Sequence, residues 1–106
     1  MNSVEKTQLE SKIIEALETC YDPEIPVNIY ELGLVYAINV SDAGDVDIKM
    51  TLTTPNCPVA VSLPGEVQSK VTTIAQVKNV SVEVVWDPPW GPNKMSESAK
   101  LQLGMI

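Results

Sequence analysis

Cys57 is the residue of this sequence whose type and position point most directly to chemistry. It lies in TTPNCPV, residues 53–59, directly before Pro58 and just after a segment that predicts a β-strand. Proline disfavours helical geometry for the residue before it, and its own fixed φ suits the first position of a helix. Cys57 is therefore the predicted N-cap of a helix, where free N–H groups and the helix dipole favour a thiolate. A buried structural cysteine in a turn is the alternative that these residues leave open.

Few kinds of reaction or metal site are available to the thiol of Cys57. The sequence has no histidine, so a cysteine hydrolase with a neighbouring base is excluded in its usual form, and Cys20 is the other cysteine. Two cysteines make neither a CxxC pair nor a closed zinc site. Asp22, Glu24 and Asp87 are candidate metal ligands, but acids beside prolines are usually turn formers. A lone thiolate remains, with further ligands from a second copy, a partner protein or a small thiol; iron and iron–sulfur centres accept such ligands.

Composition limits the class of protein. A length of 106 residues predicts one domain, residues 1–106, and a hydrophobic content of 44% is typical of a globular protein. Fourteen acidic residues against seven lysines give a net charge of −7 with no arginine, which argues against nucleic-acid binding. No apolar run approaches the length of a membrane span, and the first residues have no signal core. We therefore expect a cytoplasmic protein.

Hydrophobic periodicity and turn signals predict three helices and three strands. They are a helix from about Val4 to Thr19, strands at 34–41 and 46–52 joined by a DAGD turn, a helix between about Pro58 and Val77, a strand at 80–87, and a short helix from Ser96 to Leu103. Pro64 and Gly65 predict that the second helix is kinked or divided. The order α-β-β-α-β-α indicates an α+β fold, a two-layer α/β sandwich, and leaves the strand order open.

Local signals refine these elements. Thr7 and Glu10 are a candidate capping box for the first helix, and Cys20 ends its apolar stripe as a predicted small buried residue. Asn28 and Gly33 predict the start and stop of one short helical turn. The second strand alternates between a buried and a wet face. Its predicted buried residues are Val46, Ile48, Met50 and Leu52, and its predicted wet residues are Asp47, Lys49 and Thr51.

Five separated motifs occur along the chain: DPEIP at 22–26, ELGLVY at 31–36, MTLTTPNCPV at 50–59, VVWDPPW at 84–90 and MSESAKLQLGM at 95–105. Together they resemble the metal–sulfur cluster assembly family, which includes SufT-like and PaaD-like proteins and the eukaryotic cytosolic iron–sulfur targeting factors. The resemblance extends from about Leu9 to Met105. The sequence has no cysteine-rich tail of the PaaD type, which favours the single-domain SufT-like branch.

The resemblance implies a fold of the iron–sulfur cluster assembly type and a role in maturing iron–sulfur proteins without catalysis. The family's functional cysteine corresponds to Cys57, as a reactive thiol or a ligand to iron or to a transient iron–sulfur cluster shared with another chain or partner. The residues that border this site by resemblance are Asp22, Pro23, Glu24, Thr53, Thr54 and Pro58. The candidate interface residues are Trp86, Asp87, Pro88, Pro89 and Trp90.

Two functions of different classes remain open. One is a maturation factor that uses Cys57 and meets iron–sulfur scaffold, carrier or client proteins; a homodimer would bring two Cys57 thiolates into one assembly. The other is a structural adaptor without thiol or metal chemistry, which docks its partners through an exposed Trp86–Trp90 segment. The alternative to an exposed docking segment is that Trp86 belongs to the core and Trp90 covers the edge of the sheet. Neither function involves nucleic acid or a membrane.

Overall fold

The computed structural model describes residues 2–21, 25, 27–53 and 59–104, and for residues 59–61 it describes the backbone alone. Several predicted site residues lie outside these ranges. They are Asp22, Pro23, Glu24, Thr54, Cys57 and Pro58.

The element order is the predicted α-β-β-α-β-α, and the α+β class is confirmed. The elements are α1 (Ser3–Leu17), β1 (Val35–Val40), β2 (Asp45–Met50), α2 (Val59–Thr72), β3 (Asn79–Val84), a 3-10 turn (Pro92–Lys94) and α3 (Glu97–Gln102).

The three strands form one mixed sheet in the order β1-β2-β3. β2 is the central strand; it pairs antiparallel with β1 and parallel with β3. α2 packs against β3, and α1 packs against α2 and β1. The two helices thus cover one face of the sheet, which makes the two-layer arrangement that the sequence predicts.

The core lies between the helices and this covered face. Its buried side chains include Leu9, Ile13 and Leu17 of α1, Val46, Ile48 and Met50 of β2, Leu63, Val67 and Val71 of α2, and Ile29, Leu32 and Leu34 of the segment before β1. The predicted buried alternation of β2 is confirmed, because these three β2 side chains all point to the helix layer. Asp45 and Lys49 on the opposite face are exposed.

The predicted capping box of the first helix is wrong. Asn2 is the N-cap, and its Oδ1 accepts a hydrogen bond of 2.8 Å from the backbone N–H of Glu5. Thr7 lies inside α1, where its hydroxyl donates to the carbonyl of Ser3 at 2.9 Å. The helix begins earlier because Asn2 offers a side-chain acceptor at the right spacing.

α2 is one helix that continues through Pro64 and Gly65. Of the two predicted forms, kinked or divided, the divided one is wrong, although Pro64 has no N–H to donate to the preceding turn. The helix ends at Thr72, earlier than predicted, and the chain continues in turns in which Ile74 N–H donates to the carbonyl of Val71 at 3.1 Å. Burial of Leu63 and Val67 on either side of the proline stabilises the continuous form.

Candidate functional site

One end of the sheet brings together the predicted motif segments. β2 and β3 are parallel, so both end there, and antiparallel β1 begins there. Thr51 follows β2, Val85 follows β3 and Leu34 precedes β1. We call this end, marked by Leu34, Thr51 and Val85, the loop edge. The segments that carry Cys57, the tryptophans and the ELG motif all begin or end at it.

Backbone hydrogen bonds hold the loop edge together. The N–H of Thr51 donates to the carbonyl of Leu34, and the N–H of Val85 donates to the carbonyl of Met50, each at 2.8 Å. The start of the Cys57 loop is therefore fixed between the residue before β1 and the residue after β3.

The segment that contains Asp22, Pro23 and Glu24 is anchored to the same network. Leu34 N–H donates to the carbonyl of Ile29 at 3.1 Å, and Ile29 N–H donates to the carbonyl of Cys20 at 2.9 Å. Tyr21 and Asn28 form an antiparallel bridge that closes the segment between them. Backbone hydrogen bonds through Ile29 and Leu34 thus connect this acidic segment to Thr51, where the Cys57 loop begins.

The structure confirms the start and stop residues of the short helical turn predicted after this segment. Asn28 Oδ1 accepts a hydrogen bond of 2.9 Å from the N–H of Glu31, as an N-cap does. Gly33 has φ of +78°, as a stop residue does. A Cβ at Gly33 would lie 2.1 Å from the carbonyl oxygen of Lys94, so glycine also allows the close approach of that chain.

The Trp86–Trp90 segment crosses the loop edge from β3 to β1. Trp90 is half-buried against the core, and its Nε1–H donates to the carbonyl of Leu32 at 2.7 Å. Tyr36 donates its hydroxyl to the carbonyl of Pro88 at 2.8 Å. The peptide bond between Asp87 and Pro88 is cis.

The two tryptophans have different environments. Trp86 is 48% exposed, so the alternative that placed it in the core is wrong. Trp90 covers apolar residues at the loop edge, as that same alternative expected. Within this segment, Trp86 is the large apolar side chain most available to a partner.

A shallow groove lies beside this segment. Gly33, Val35, Tyr36, Pro88 and Lys94 line it. Lys94 Nζ lies 5.1 Å from the centroid of the Tyr36 ring, in the range of a cation–π contact. Burial, and to a lesser degree the charge of Asp87, raises the pKa of the Tyr36 phenol. The sequence did not single out Tyr36, which lies at an irregularity in the β1–β2 pairing that no local signal marks.

Thr51 is the second residue that the sequence missed, and its predicted exposure is wrong. It is 1% exposed, and its Oγ1 has no hydrogen-bond partner among the described residues. Period-two alternation predicts the wet face, but at this end of β2 both faces are covered. Thr53, two residues on, is half-buried at the mouth of the loop.

The two cysteines differ in what the structure describes. Cys20 is a free, buried thiol whose Sγ lies 3.7 Å from the carbonyl oxygen of Ala16, and its predicted structural role is confirmed. Burial, and next the charge of Glu66, raises the pKa of the Cys20 thiol. Cys57 lies outside the described residues, but α2 begins at Val59, two positions after it. Among the described residues, no three acidic or cysteine side chains converge to hold a metal ion.

Residues 10–84 match the family model described as iron–sulfur cluster assembly protein, and the chain belongs to that family. The family resemblance found in the sequence is thereby confirmed. Within the described part of the chain, no helix is long and apolar enough to cross a membrane.

Individual relatives agree with the family. The chain is 46% identical over 99 residues to the Fe-S protein maturation auxiliary factor of Porphyromonas gingivalis, covering 93% of this chain and 94% of that protein. It is 39% identical to the Fe-S protein maturation auxiliary factor SufT of Staphylococcus aureus, covering 79% and 96%. The crystal structure of a domain of unknown function, DUF59, from Bacillus anthracis superposes with a TM-score of 0.89 at 36% identity, covering 99% and 100%.

Proposed function

We propose that this chain is a cytoplasmic, non-enzymatic maturation factor that helps deliver iron–sulfur clusters to client apoproteins through the thiolate of Cys57. The observation that carries the proposal is the joining of the family's motif segments by backbone hydrogen bonds at the loop edge. A helix that begins two residues after Cys57 supports the ionised thiol, because its first N–H groups are free to stabilise an anion. The relatives named as maturation factors support the pathway.

In this proposal the cluster is cargo, and the chain supplies part of its ligands. An iron–sulfur cluster normally uses four ligands, mostly thiolates. With Cys20 buried in the core, Cys57 is the thiol left to bind it. The remaining ligands then come from a scaffold, carrier or client protein, or from a second copy of this chain. Shared ligation makes the complex transient, which suits transfer.

Anaerobic reconstitution with iron and sulfide tests the thiolate role. We expect visible absorbance of a cluster with the wild type and its loss in Cys57→Ser, whose fold is retained because serine is close to cysteine in size and shape. Cys20→Ala is the matched control and retains the absorbance. In a deletion strain, Cys57→Ser fails to restore client-enzyme activity. Equal restoration by Cys57→Ser and the wild type would rule out the thiolate role.

The exposed Trp86 favours a second candidate, a structural adaptor that docks partners without thiol chemistry. Prolines 88 and 89 restrict the chain beside it, so little conformational entropy is lost on binding. Trp86→Ala is the sharper test than a change at Trp90, whose indole is bonded to Leu32 and packs on the core. The matched control is Val4→Ala, an exposed apolar residue of α1 at 64% exposure.

The two candidates predict opposite results for one pair of variants. If the chain is only an adaptor, Trp86→Ala lowers both client pull-down and client activity, and Cys57→Ser changes neither. If it delivers clusters through Cys57, the cysteine variant loses client activity while pull-down persists. Val4→Ala behaves as the wild type in both cases.

A further inference from the structure

We propose that β3 pairs antiparallel with β3 of a second copy of this chain, about a two-fold axis at Val82, and so forms a dimer with one continuous sheet. The inference goes beyond the proposed function and does not depend on it, because it concerns the outer edge of β3 and no thiol.

β3 is an edge strand, and every second residue of its backbone points away from the sheet. β2 lies on one side of β3, and within the described part of the chain no strand lies on the other side. Val85 N–H donates to the carbonyl of Met50 on β2, so the alternation of the backbone turns the N–H and C=O groups of Val80, Val82 and Val84 outward. For Val82 and Val84 these outward groups have no partner among the described residues.

β3 lacks the features that normally prevent an exposed edge from pairing. Proteins protect such edges with lysine, proline or a bulge. The β3 sequence NVSVEV has neither lysine nor proline, and its pairing with β2 has no register shift. β1, at the opposite edge, has a shift between Val35 and Ala37. The single cover on the β3 edge is the exposed side chain of Gln68, whose Nε2 donates to the carbonyl of Val80 at 3.3 Å.

The outward groups of β3 are complementary to those of a second copy. With the two-fold axis at Val82, this residue pairs with Val82 of the second copy and Val80 pairs with Val84, so outward groups meet on both strands. Ser81 then faces Glu83 of the second copy, and its hydroxyl can donate to the carboxylate. An axis at Glu83 would instead place two carboxylates opposite each other, which is unfavourable.

The charges around this edge favour a second copy, although the whole chain has a net charge of −7. Glu83 is the one charged residue of β3, and it lies beside Lys49 of β2 in the sheet. The side of α2 above the edge carries Gly65, Gln68 and Thr72, which are exposed and uncharged and share one side of the helix by their spacing. Two acidic chains can therefore meet here with little repulsion.

The dimer would bury apolar surface that a single copy leaves half-exposed. Val80 and Val82 are half-buried, whereas their partners on β2, Val46 and Ile48, are fully buried in the same register. Antiparallel pairing directs the two β3 strands in opposite directions, so the two loop edges lie at opposite ends of the joined sheet. Each loop edge then stays open to its own partner, which makes this dimer distinct from one that shares a cluster between two loop edges.

Sedimentation velocity of the full chain, with reductant and from about 1 µM to about 1 mM, tests the association. We expect the wild type to change from monomer to dimer as concentration rises. Val82→Pro removes an outward N–H without removing a bond to β2, and is expected to remain monomeric. Val82→Thr is the matched control, since it keeps the N–H and a β-branched side chain, and it associates as the wild type does.

Disulfide cross-linking tests the register and does not require the proline variant to fold. Two chains in a Cys20→Ala, Cys57→Ser background, one with Ser81→Cys and one with Glu83→Cys, are mixed and oxidised with diamide. Residues of a non-hydrogen-bonded antiparallel pair have Cα atoms about 4.5 Å apart, within reach of a disulfide. We expect the mixed disulfide to form faster than either chain cross-links alone. Lys49→Cys in place of Ser81→Cys is the control and gives no mixed product.

Three results would overturn the inference. They are a wild type that stays monomeric over the whole range, a folded Val82→Pro that still dimerises, and a Ser81→Cys chain that cross-links alone as fast as the mixture. The cysteine-free background removes dimers linked by thiols or by a cluster. If the chain is monomeric while Cys57→Ser loses the cluster, this inference fails and the proposed function stands.

Discussion

At the scale of single residues, the two cysteines of this chain show how surroundings decide what a thiol does. Cys20 ends the apolar face of α1 and is 0% exposed, so its thiol is held neutral by burial. Cys57 lies in a proline-flanked segment directly before α2, where a helix start favours the thiolate. We interpret the first as structural and propose the second as functional.

Burial of Cys20 predicts a loss of stability at alkaline pH. The pKa of this thiol is raised above its ordinary value of 9.0 in the folded chain, so above that pH the unfolded chain releases a proton that the folded chain retains. The free energy of unfolding therefore falls as pH rises from about 9 through the folded pKa. Urea unfolding of the wild type at pH 8 and pH 10 measures this loss.

Cys20→Ala is the control for that measurement. It removes the thiol but keeps the lysines and tyrosines that also titrate in this range, so its loss of stability between the two pH values is smaller than that of the wild type. An equal loss in both proteins would show that Cys20 contributes nothing to the alkaline transition.

At the scale of elements, the turn at residues 28–33 and the chain that leads into α3 form one packed unit. Ser96 N–H donates to the carbonyl of Glu31 at 2.9 Å, and the Ser96 hydroxyl donates to the Glu31 carboxylate. The same hydroxyl accepts from the N–H of Ala99 at 3.1 Å, as the N-cap of α3. A short helix of this length depends on such tertiary bonds, because isolated short helices are marginal. Gly33 lies at the closest contact of this unit.

Three glycine-to-alanine variants should rank by local geometry. Gly33→Ala combines positive φ with a clash against the Lys94 carbonyl and should cost at least about 2 kcal/mol. Gly104→Ala has positive φ but open space, and should cost about 1 kcal/mol. Gly65→Ala lies within α2 with nothing near its Cβ, and should stabilise by roughly 0.5–1 kcal/mol.

Urea unfolding of the three variants provides the free energies for this ranking. A Gly33→Ala protein as stable as Gly104→Ala would contradict the close approach of residues 33 and 94. A destabilised Gly65→Ala would contradict a continuous α2.

At the scale of the whole molecule, the position of β2 in the centre of the sheet joins the core to the loop edge. Its side chains Val46, Ile48 and Met50 pack beneath both helices, and its end leads into the Cys57 loop. Strands on both sides satisfy its backbone. The stability of the fold and the placement of the proposed site therefore depend on the same strand.

Truncation at the centre of β2 should affect the whole fold. Ile48 is 0% exposed, and Ile48→Ala should lower the free energy of unfolding by about 2–5 kcal/mol through lost burial and a cavity. The neighbouring Lys49→Ala, on the open face, should stay within about 0.5 kcal/mol of the wild type. Chemical denaturation measures both, and similar losses for the two variants would contradict the assigned faces of the strand.

The sequence by itself determined the local features of this protein. Ser96 and Gly104 as the limits of the last helix, the Asn28 cap, the buried alternation of β2 and the burial of Cys20 all follow from contacts within a few residues, which sequence patterns record. Cys57 as the candidate thiol also comes from the sequence, through its neighbouring proline, the exclusion of other chemistries and the resemblance to the family.

Tertiary structure alone decided the strand order, the separate environments of Trp86 and Trp90, and the burial of Thr51. Each depends on residues far apart in the chain: Trp90 bonds to Leu32 across 58 positions, and Tyr36 bonds to Pro88 across 52. Periodicity assigns a residue to one face of its own strand, but it carries no information on which distant segment crosses that face. Thr51 shows this limit: its place in the alternation of β2 predicts the wet face, and the packing of the folded chain leaves it 1% exposed.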